Sequence, residues 1–465
     1  MINPSVYKQK FELRVPSFPP LGLLYIGRSL EDEGHQAEII DFNMENNPMN
    51  KIEINLKTVD VVGISVDNDT YNESSEIASF IKKNDPSIPI IIGGPHCTIY
   101  KEKTLTNLPD ADVSVSGDGE IAIKEIARAI EEGKCLSKIN GIYYRENKKI
   151  KSGKPPRLIE NLDEIPFPSR HLVNKYIYGK FGKQNFYRPR LTSIITTRGC
   201  PFRCRYCTRH IVSSGRFRQR SAENIIEELI EIDGEYGSVM IGDDSFLADQ
   251  KRAHLIFDGI IRNNLNLDLL IGGARVDSAN HDLYQKMKKA NVKYINYGIE
   301  SGNQETLDFY NKKITTDQIK YSVKLADEMG FFTTGTFILG APFETEEHIE
   351  RTVNFASSLP LDLAAFYPLS YRHGSDLWRE AVQNGILSEC EHEVVSDKNR
   401  GLGNFSREDL LKICNQSSKM FYKNPKYLMR QIMKACRLNN FSILKAGINS
   451  KFNKFKQETS DNHIV

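Results

Sequence analysis

Short apolar, β-branched runs alternate with amphipathic stretches through the first third of the chain. Val61–Val66 (VVGISV) and Ile88–Ile92 (IPIII) have the near-continuous apolar pattern of buried parallel strands. Between them, Asn72–Lys83 places Ile77, Phe80 and Ile81 on one face, which predicts a helix. Pro19–His35 predicts another, closed by Gly34. Asp60, Asp85-Pro86 and Gly93-Gly94-Pro95 mark the connections. This β-α-β-α alternation implies a doubly wound, Rossmann-like parallel sheet, with ligands at the carboxyl ends of its strands. The loop Gly93–His96 falls at such an end. Asn140–Arg145 and Lys149–Ile150 predict a small hairpin, which closes a first domain at 1–150. Residues 151–190, with Pro155, Pro156, Pro166 and Pro168, read as a linker.

A second alternation begins at Leu191. Its expected strands are Thr192–Thr196, Ser238–Ile241, Lys293–Tyr297, Thr334–Leu339 and Leu363–Phe366. Thr315 with Gln318 fits a capping box, apolar Ile319, Val323, Ala326 and Met329 follow, and Gly330 ends that helix. Thr345 caps a further helix, which Pro360 ends. Repeated strand–helix units across 191–380 predict a partial (β/α) barrel with its chemistry at the carboxyl ends of the strands. Residues 381–465 read as a helical extension. Its end is basic, with Phe421, Tyr422, Tyr427, Leu428 and Ile432 on the expected apolar side of the tail.

Composition narrows the class. The 465 residues suffice for two to four domains at roughly 100–200 residues each. Lys plus Arg is 62 against 60 for Asp plus Glu, which excludes a globally basic nucleic-acid binder and an acidic solvating chain. No run reaches the roughly 18 apolar residues of a membrane span, and Met1–Lys10 lacks the apolar core of a signal peptide. A cytoplasmic location is expected, with peripheral membrane contact through the basic tail as a further expectation.

The strongest chemical signal is Cys200-x3-Cys204-x2-Cys207, just after an expected strand. Thiolates are soft ligands that suit iron–sulfur clusters or zinc. Three cysteines on one loop hold three corners of a cubane cluster and leave one iron open to a small chelating molecule. The alternative is a structural zinc with His210 as fourth ligand. Cys97, Cys135, Cys390, Cys414 and Cys436 are isolated and read as bystanders.

This loop resembles that of the radical S-adenosylmethionine (SAM) enzymes. There, three cysteines hold a 4Fe-4S cluster and the amino and carboxylate groups of SAM chelate the fourth iron. Downstream, Gly242-Asp243-Asp244-Ser245-Phe246, Arg275-Val276-Asp277, Gly298-Ile299-Glu300-Ser301-Gly302 and Gly335–Pro342 resemble the family's later strands, in order. The resemblance implies that Cys200, Cys204 and Cys207 bind the cluster. It also implies that Tyr206, Arg275, Gly298, Glu300, Ser301 and Gly302 contribute to the SAM site. Asp243 and Asp244 have the alternative reading of solvated strand-end carboxylates.

The first domain resembles the cobalamin-binding domain that precedes some radical SAM cores, through Pro19–Gly22, Val62–Ser65, Gly93–His96 and Ser116–Glu120. The residues implied to bind cobalamin are Ser65, Gly93, Gly94, Pro95, His96, Gly117, Gly119 and Glu120. The domain lacks Asp-x-His-x2-Gly, so no lower axial histidine is expected. Met1-Ile2-Asn3-Pro4 matches the end of a first strand, so that strand is expected to be short.

In methylating relatives one SAM gives its methyl group to cobalamin and becomes S-adenosylhomocysteine. Another gives a 5′-deoxyadenosyl radical that abstracts hydrogen from an unactivated carbon. The expected function is therefore methylation of a small-molecule or lipid substrate, with an electron donor such as flavodoxin or ferredoxin and no nucleic acid as partner. One alternative keeps the same cofactors for ring formation, rearrangement or carbon–carbon coupling. Another is a non-catalytic cobalamin or redox sensor with a structural metal. Tyr371 and His373, on the strand-end loop Tyr367–Ser375, are the candidates for substrate contact.

Overall fold

Ile90, Ile91 and Ile92 are all buried, but on two sides: Ile90 and Ile92 join one apolar core and Ile91 another. A strand apolar on both faces belongs inside a sheet covered by helices on each side. The structure, a computed structural model describing residues 1–5, 18–179 and 187–437, shows such a sheet in the first of two units, Met1–Tyr178. Its strands are β1 (Ile2–Asn3), β2 (Ile40–Asp41), β3 (Val62–Ser65), β4 (Ile90–Gly93), β5 (Val113–Val115), β6 (Ile142–Glu146) and β7 (Lys149–Ser152). They are ordered β2-β1-β3-β4-β5-β6-β7, parallel through β5, with β6 and β7 antiparallel. The order β2-β1-β3 makes a topological switch point between β1 and β3. The short first strand therefore lies inside the sheet, paired on both sides. Helices Leu21–Glu31 and Tyr71–Asn84 form where expected, and Gly34 takes a left-handed conformation at φ 88°.

The proline-rich stretch 151–190, expected to be a linker, packs onto the first unit as far as Tyr178. Tyr178 donates to Asp41 Oδ2 at 2.8 Å, Tyr176 to Glu45 Oε1 at 2.6 Å, and the backbone N–H of Ser169 to the carbonyl of Leu24 at 3.2 Å. Prolines fix an extended path here, but the aromatic side chains between them find buried partners.

The second unit, Gly179–Val465, is built on six parallel strands: β8 (Leu191–Ile194), β11 (Ser238–Ile241), β12 (Asp268–Ala274), β13 (Val292–Glu300), β14 (Phe332–Leu339) and β15 (Leu363–Pro368). A small antiparallel pair, β9 (Thr197–Arg198) and β10 (Arg218–Gln219), lies between the first two. The six run in sequence order from β8 at one edge to β15 at the other, the topology of a partial barrel. Side chains alternate between faces. Ile295, Tyr297 and Ile299 of β13 join the helix-side core, as do Phe337 and Leu339 of β14. Asn296, Gly298 and Glu300 face the other way. These three residues lie on the concave face of the sheet.

Strand β12 is not among the strands expected from periodicity, and it ends just before Arg275-Val276-Asp277, the segment that the resemblance matched to a later strand. A Cβ on Gly273 would lie 2.5 Å from the carbonyl oxygen of Asp243, so glycine is what allows β12 to run close beside the end of β11. The two predicted caps form. Thr315 and Gln318 make a capping box before a helix that ends on Gly330 at φ 87°, and Thr345 pairs with His348.

A hairpin of β16 (Ser370–Arg372) and β17 (Glu393–Val395) follows β15. The chain then ends, among the described residues, in helices Arg407–Lys423 and Pro425–Arg437. Phe421 and Tyr427 belong to the main core, and Tyr422 donates to the carbonyl of Ala364 at 3.0 Å. These three aromatics therefore face inward. This corrects the expectation that they line an outward apolar side.

Candidate active site

The cysteine loop leaves the sheet through β9 and returns through β10. Gly199 sits at its base with φ 91°, and a Cβ there would lie 2.2 Å from the carbonyl oxygen of Arg216. No other residue fits that approach. The loop is tied to the barrel by its backbone. The N–H of Arg205 donates to the Tyr310 carbonyl at 3.0 Å, Asn311 Nδ2 to the Arg203 carbonyl at 2.7 Å, and the N–H of Leu377 to the Arg205 carbonyl at 3.1 Å. Cys204 is buried, and Cys200 and Cys207 are half-buried. Burial pushes the thiols of Cys200 and Cys207 up, and neighbouring thiols and Asp244 push the same way. Such thiolates need a cationic partner. Among the described residues no three His, Cys, Asp or Glu side chains converge on one single-ion position. Three thiols on one short loop are the soft donor set of an iron–sulfur cluster.

Beneath the loop lies a buried polar network. Asp243 accepts from the N–H of Thr196 at 2.6 Å and from its hydroxyl, against a burial effect that raises its pKa. Arg252 donates to the Thr196 hydroxyl at 2.9 Å and to the Arg220 carbonyl at 3.1 Å, and Arg220 pairs with buried Glu228. Asp243 is thus a buried brace, not a solvated carboxylate. Asp244 pairs with Arg209 at 3.2 Å.

Facing the loop, the carboxyl end of β13 presents Glu300 in a left-handed conformation at φ 69°, just past a register shift against β14. A non-glycine residue there stores strain of the kind found at functional sites. Glu300 Oε1 accepts from Lys312 Nζ at 2.7 Å and from the Tyr206 hydroxyl at 2.8 Å, and Lys312 Nζ lies 3.5 Å from that hydroxyl. The Glu300–Lys312 pair is buried. Burial opposes the lysine's charge, but the charge and hydrogen bond of Glu300 together with Cys204 outweigh it and raise its pKa. Burial and Glu300 together hold the Tyr206 phenol well above its ordinary value. Gly298 makes the room: a Cβ there would lie 2.6 Å from Glu300 Oε1 and 2.9 Å from Lys312 Nζ.

Lys312 escaped the sequence reading. It stands in the polar run Asn311-Lys312-Lys313, which looks solvated. Arg275, expected at the SAM site, acts one step back. It donates to the Lys312 carbonyl at 2.7 Å, and its guanidinium lies 3.7 Å from the Phe202 ring centre. It therefore ties the cysteine loop to Lys312.

Ser301 and Gly302 lie differently from the expectation. The Ser301 hydroxyl meets that of Thr352 at 3.1 Å, and a Cβ on Gly302 would strike Phe355 at 2.6 Å. They pack the turn after β13 against helix Glu346–Ser358. Tyr371 is also committed to packing: its hydroxyl donates to the Leu402 carbonyl at 3.1 Å, and burial pushes it up to about 12. His373 packs against Trp378, with ring centres 4.2 Å apart and the planes tilted by 52°.

In the first unit, Ser65, Gly93 and Val115 are neighbours in register at the carboxyl ends of β3, β4 and β5. Gly94 and Pro95 follow β4, and Gly117 follows β5 at φ 89° with its N–H on Thr98 Oγ1 at 2.9 Å. The fold thus gathers five of the expected cobalamin residues at one sheet end. His96 is enclosed between Tyr71 and Tyr100, with Nδ1 2.9 Å from Asn68 Oδ1. Glu120 is buried, and Gly119 lies against Ile26.

The sequence profile of the Radical SAM superfamily matches residues 194–356, and that of the B12 binding domain matches residues 14–127. An uncharacterized methyltransferase of Pyrococcus horikoshii is 33% identical over 420 residues, covering 89% of this chain and 90% of that protein. The chain belongs to the cobalamin-binding radical SAM family. Its cofactors are accordingly a 4Fe-4S cluster, SAM and cobalamin. Two further relatives of this radical SAM enzyme carry names of different activities. The cytidylyl-2-hydroxyethylphosphonate methyltransferase of Streptomyces wedmorensis is 25% identical, covering 83% of this chain and 82% of its own. The anaerobic magnesium-protoporphyrin IX monomethyl ester cyclase of Rubrivivax gelatinosus is 23% identical, covering 97% and 83%. The fold matches that of the radical SAM methyltransferase TsrM from Kitasatospora setae with a TM-score of 0.66 at 20% identity, covering 82% of this chain and 75% of that one.

Proposed function

We propose that this radical SAM enzyme transfers a methyl group to an unactivated carbon of a small-molecule or lipid substrate. The observation that carries the reading is the buried Glu300–Lys312 pair beside an open three-cysteine loop, in a chain 33% identical to a protein named a methyltransferase. Cys200, Cys204 and Cys207 would hold the cluster. Glu300 offers a carboxylate to the α-ammonium or ribose hydroxyls of SAM, and Lys312 offers an ammonium to its carboxylate. Tyr206 keeps its proton and donates it as a hydrogen bond to Glu300. Asn296 Oδ1, buried and without a partner on the concave face, is available to a bound molecule. In the first unit, Ser65, Gly93, Gly94 and Gly117 would receive cobalamin against backbone. When bound, the cluster and cobalamin supply one-electron cleavage of SAM and methyl transfer. A donor of the flavodoxin or ferredoxin type would provide the electron.

The relative named a cyclase favours a second reading, non-methylating radical chemistry with the same cofactors. Dependence on cobalamin separates the two. Protein reconstituted with iron and sulfide, reduced and given SAM is expected to form S-adenosylhomocysteine only when cobalamin is also loaded. If loading cobalamin leaves that product at background, the non-methylating reading is favoured.

A further inference from the structure

We propose that helix Pro425–Arg437 docks the protein on an anionic lipid surface. The helix is anchored on one side. Tyr427, Gln431, Lys434 and Ala435 are buried, Tyr427 donates to the Asp362 carbonyl at 2.9 Å, and Lys434 donates to Asp362 Oδ2 at 2.6 Å. Its outward side, by contrast, is apolar. Met429 and Met433 are each 64% exposed, Ile432 52% and Leu428 42%, and their spacing puts them on one face. Among the described residues twelve large apolar side chains are exposed. Five of them, these four and Met420, lie within fourteen residues of the chain. Scattered exposed apolar residues are ordinary; a contiguous stripe marks an interaction surface.

Charge decides what covers it. Exposed Lys426 flanks the stripe, with Lys423 just before the helix, while Arg437 at the far end pairs with Asp327 at 3.1 Å. No Asp or Glu occurs between Asp409 and Glu458, a stretch that holds eleven Lys and Arg. A second copy of the chain would bring the same positive rim. Four of these eleven are lysines within residues 438–457, which hold no acid to neutralise them. Nucleic acid would match the charge, but its single strands are met by aromatic stacking and not by Met, Leu and Ile. An anionic bilayer satisfies both features. Its headgroups take the Lys and Arg, and its acyl boundary takes the flexible methionines and their neighbours.

The helix reaches Asp362 and, through Lys434, the Phe331 carbonyl at 2.8 Å. These residues precede β15 and β14, so the docking face lies at the amino ends of those strands. Glu300 lies at the carboxyl end of β13. Docking is therefore independent of the methyl-transfer reading and does not deliver lipid to the site.

The test is co-sedimentation of the full chain with vesicles. Binding is expected to vesicles containing phosphatidylglycerol, to weaken at high salt, and to be absent with phosphatidylcholine alone. Replacing Leu428→Ser, Met429→Ser, Ile432→Ser and Met433→Ser together is expected to cut binding about tenfold or more, with circular dichroism and iron content unchanged. Lys423→Glu with Lys426→Glu, which leaves the stripe intact, is expected to weaken binding as well. The proposal is overturned if the wild-type chain ignores anionic vesicles, or if the quadruple variant binds them as the wild type does. It is equally overturned if light scattering shows a dimer that the quadruple variant converts to monomer, or if a short DNA duplex binds and the vesicles do not.

Discussion

Lys312 turns a strand-end carboxylate into a binding device. Glu300 alone, buried and strained, would be an uncompensated charge; with Lys312 at 2.7 Å it becomes one half of a pair that matches an amino acid zwitterion. Lys312→Met leaves Glu300 buried without its cation, a change that costs about 3–5 kcal/mol when a buried pair is broken. The expected result is a lower denaturation midpoint and at least a tenfold loss of SAM affinity by equilibrium dialysis. Lys312→Arg, which keeps the charge, is expected to retain most of both. Equal SAM affinity in Lys312→Met would remove Lys312 from the site. The cysteines were legible in the sequence because soft ligands at short spacing have few other uses. Lys312 was not, because the carboxylate that gives it meaning lies twelve residues away across the short helix Gln304–Phe309, and a lysine in a polar run looks solvated. Ser301 and Gly302 stand beside Glu300 in sequence yet face a helix, since a left-handed residue redirects the chain after it.

At the scale of elements, the same backbone feature has different consequences in different surroundings. Gly34 and Gly199 both have φ near +90°, but nothing lies within 4 Å of a Cβ on Gly34, while one on Gly199 meets backbone at 2.2 Å. Gly34→Ala is expected to cost only about 1 kcal/mol. Gly199→Ala is expected to distort the loop base and bring iron per chain after reconstitution close to that of Cys200→Ala. Full iron loading in Gly199→Ala would show that the loop tolerates another base. Most strands and helices were readable from period and punctuation. The exceptions have physical causes. Strand β12 hides behind two glycines that close packing demands. Helix Pro425–Arg437 buries Gln431 and Lys434 beside Tyr427 and Ala435 and exposes Leu428, Met429, Ile432 and Met433, so hydrophobic periodicity points to the wrong face.

The whole molecule divides its tasks between two units, each with cores of its own. Alternating strands and helices made both α/β units legible. The packing of the proline-rich stretch through Tyr178 onto the first unit was not, because it rests on single hydroxyl contacts to Asp41 and Glu45. Among the described residues no helix is long and apolar enough to cross a membrane. The sensor alternative and the enzyme differ in what they release, so the decisive measurement is of the small products. The protein would be reconstituted anaerobically with iron, sulfide and cobalamin, reduced, and given SAM, and 5′-deoxyadenosine and S-adenosylhomocysteine would be quantified by mass spectrometry beside Cys200→Ala as control. Both products are expected from the wild-type chain and no 5′-deoxyadenosine from the variant. 5′-Deoxyadenosine without S-adenosylhomocysteine, from protein loaded with both cofactors, would contradict methyl transfer; neither product would contradict the enzyme.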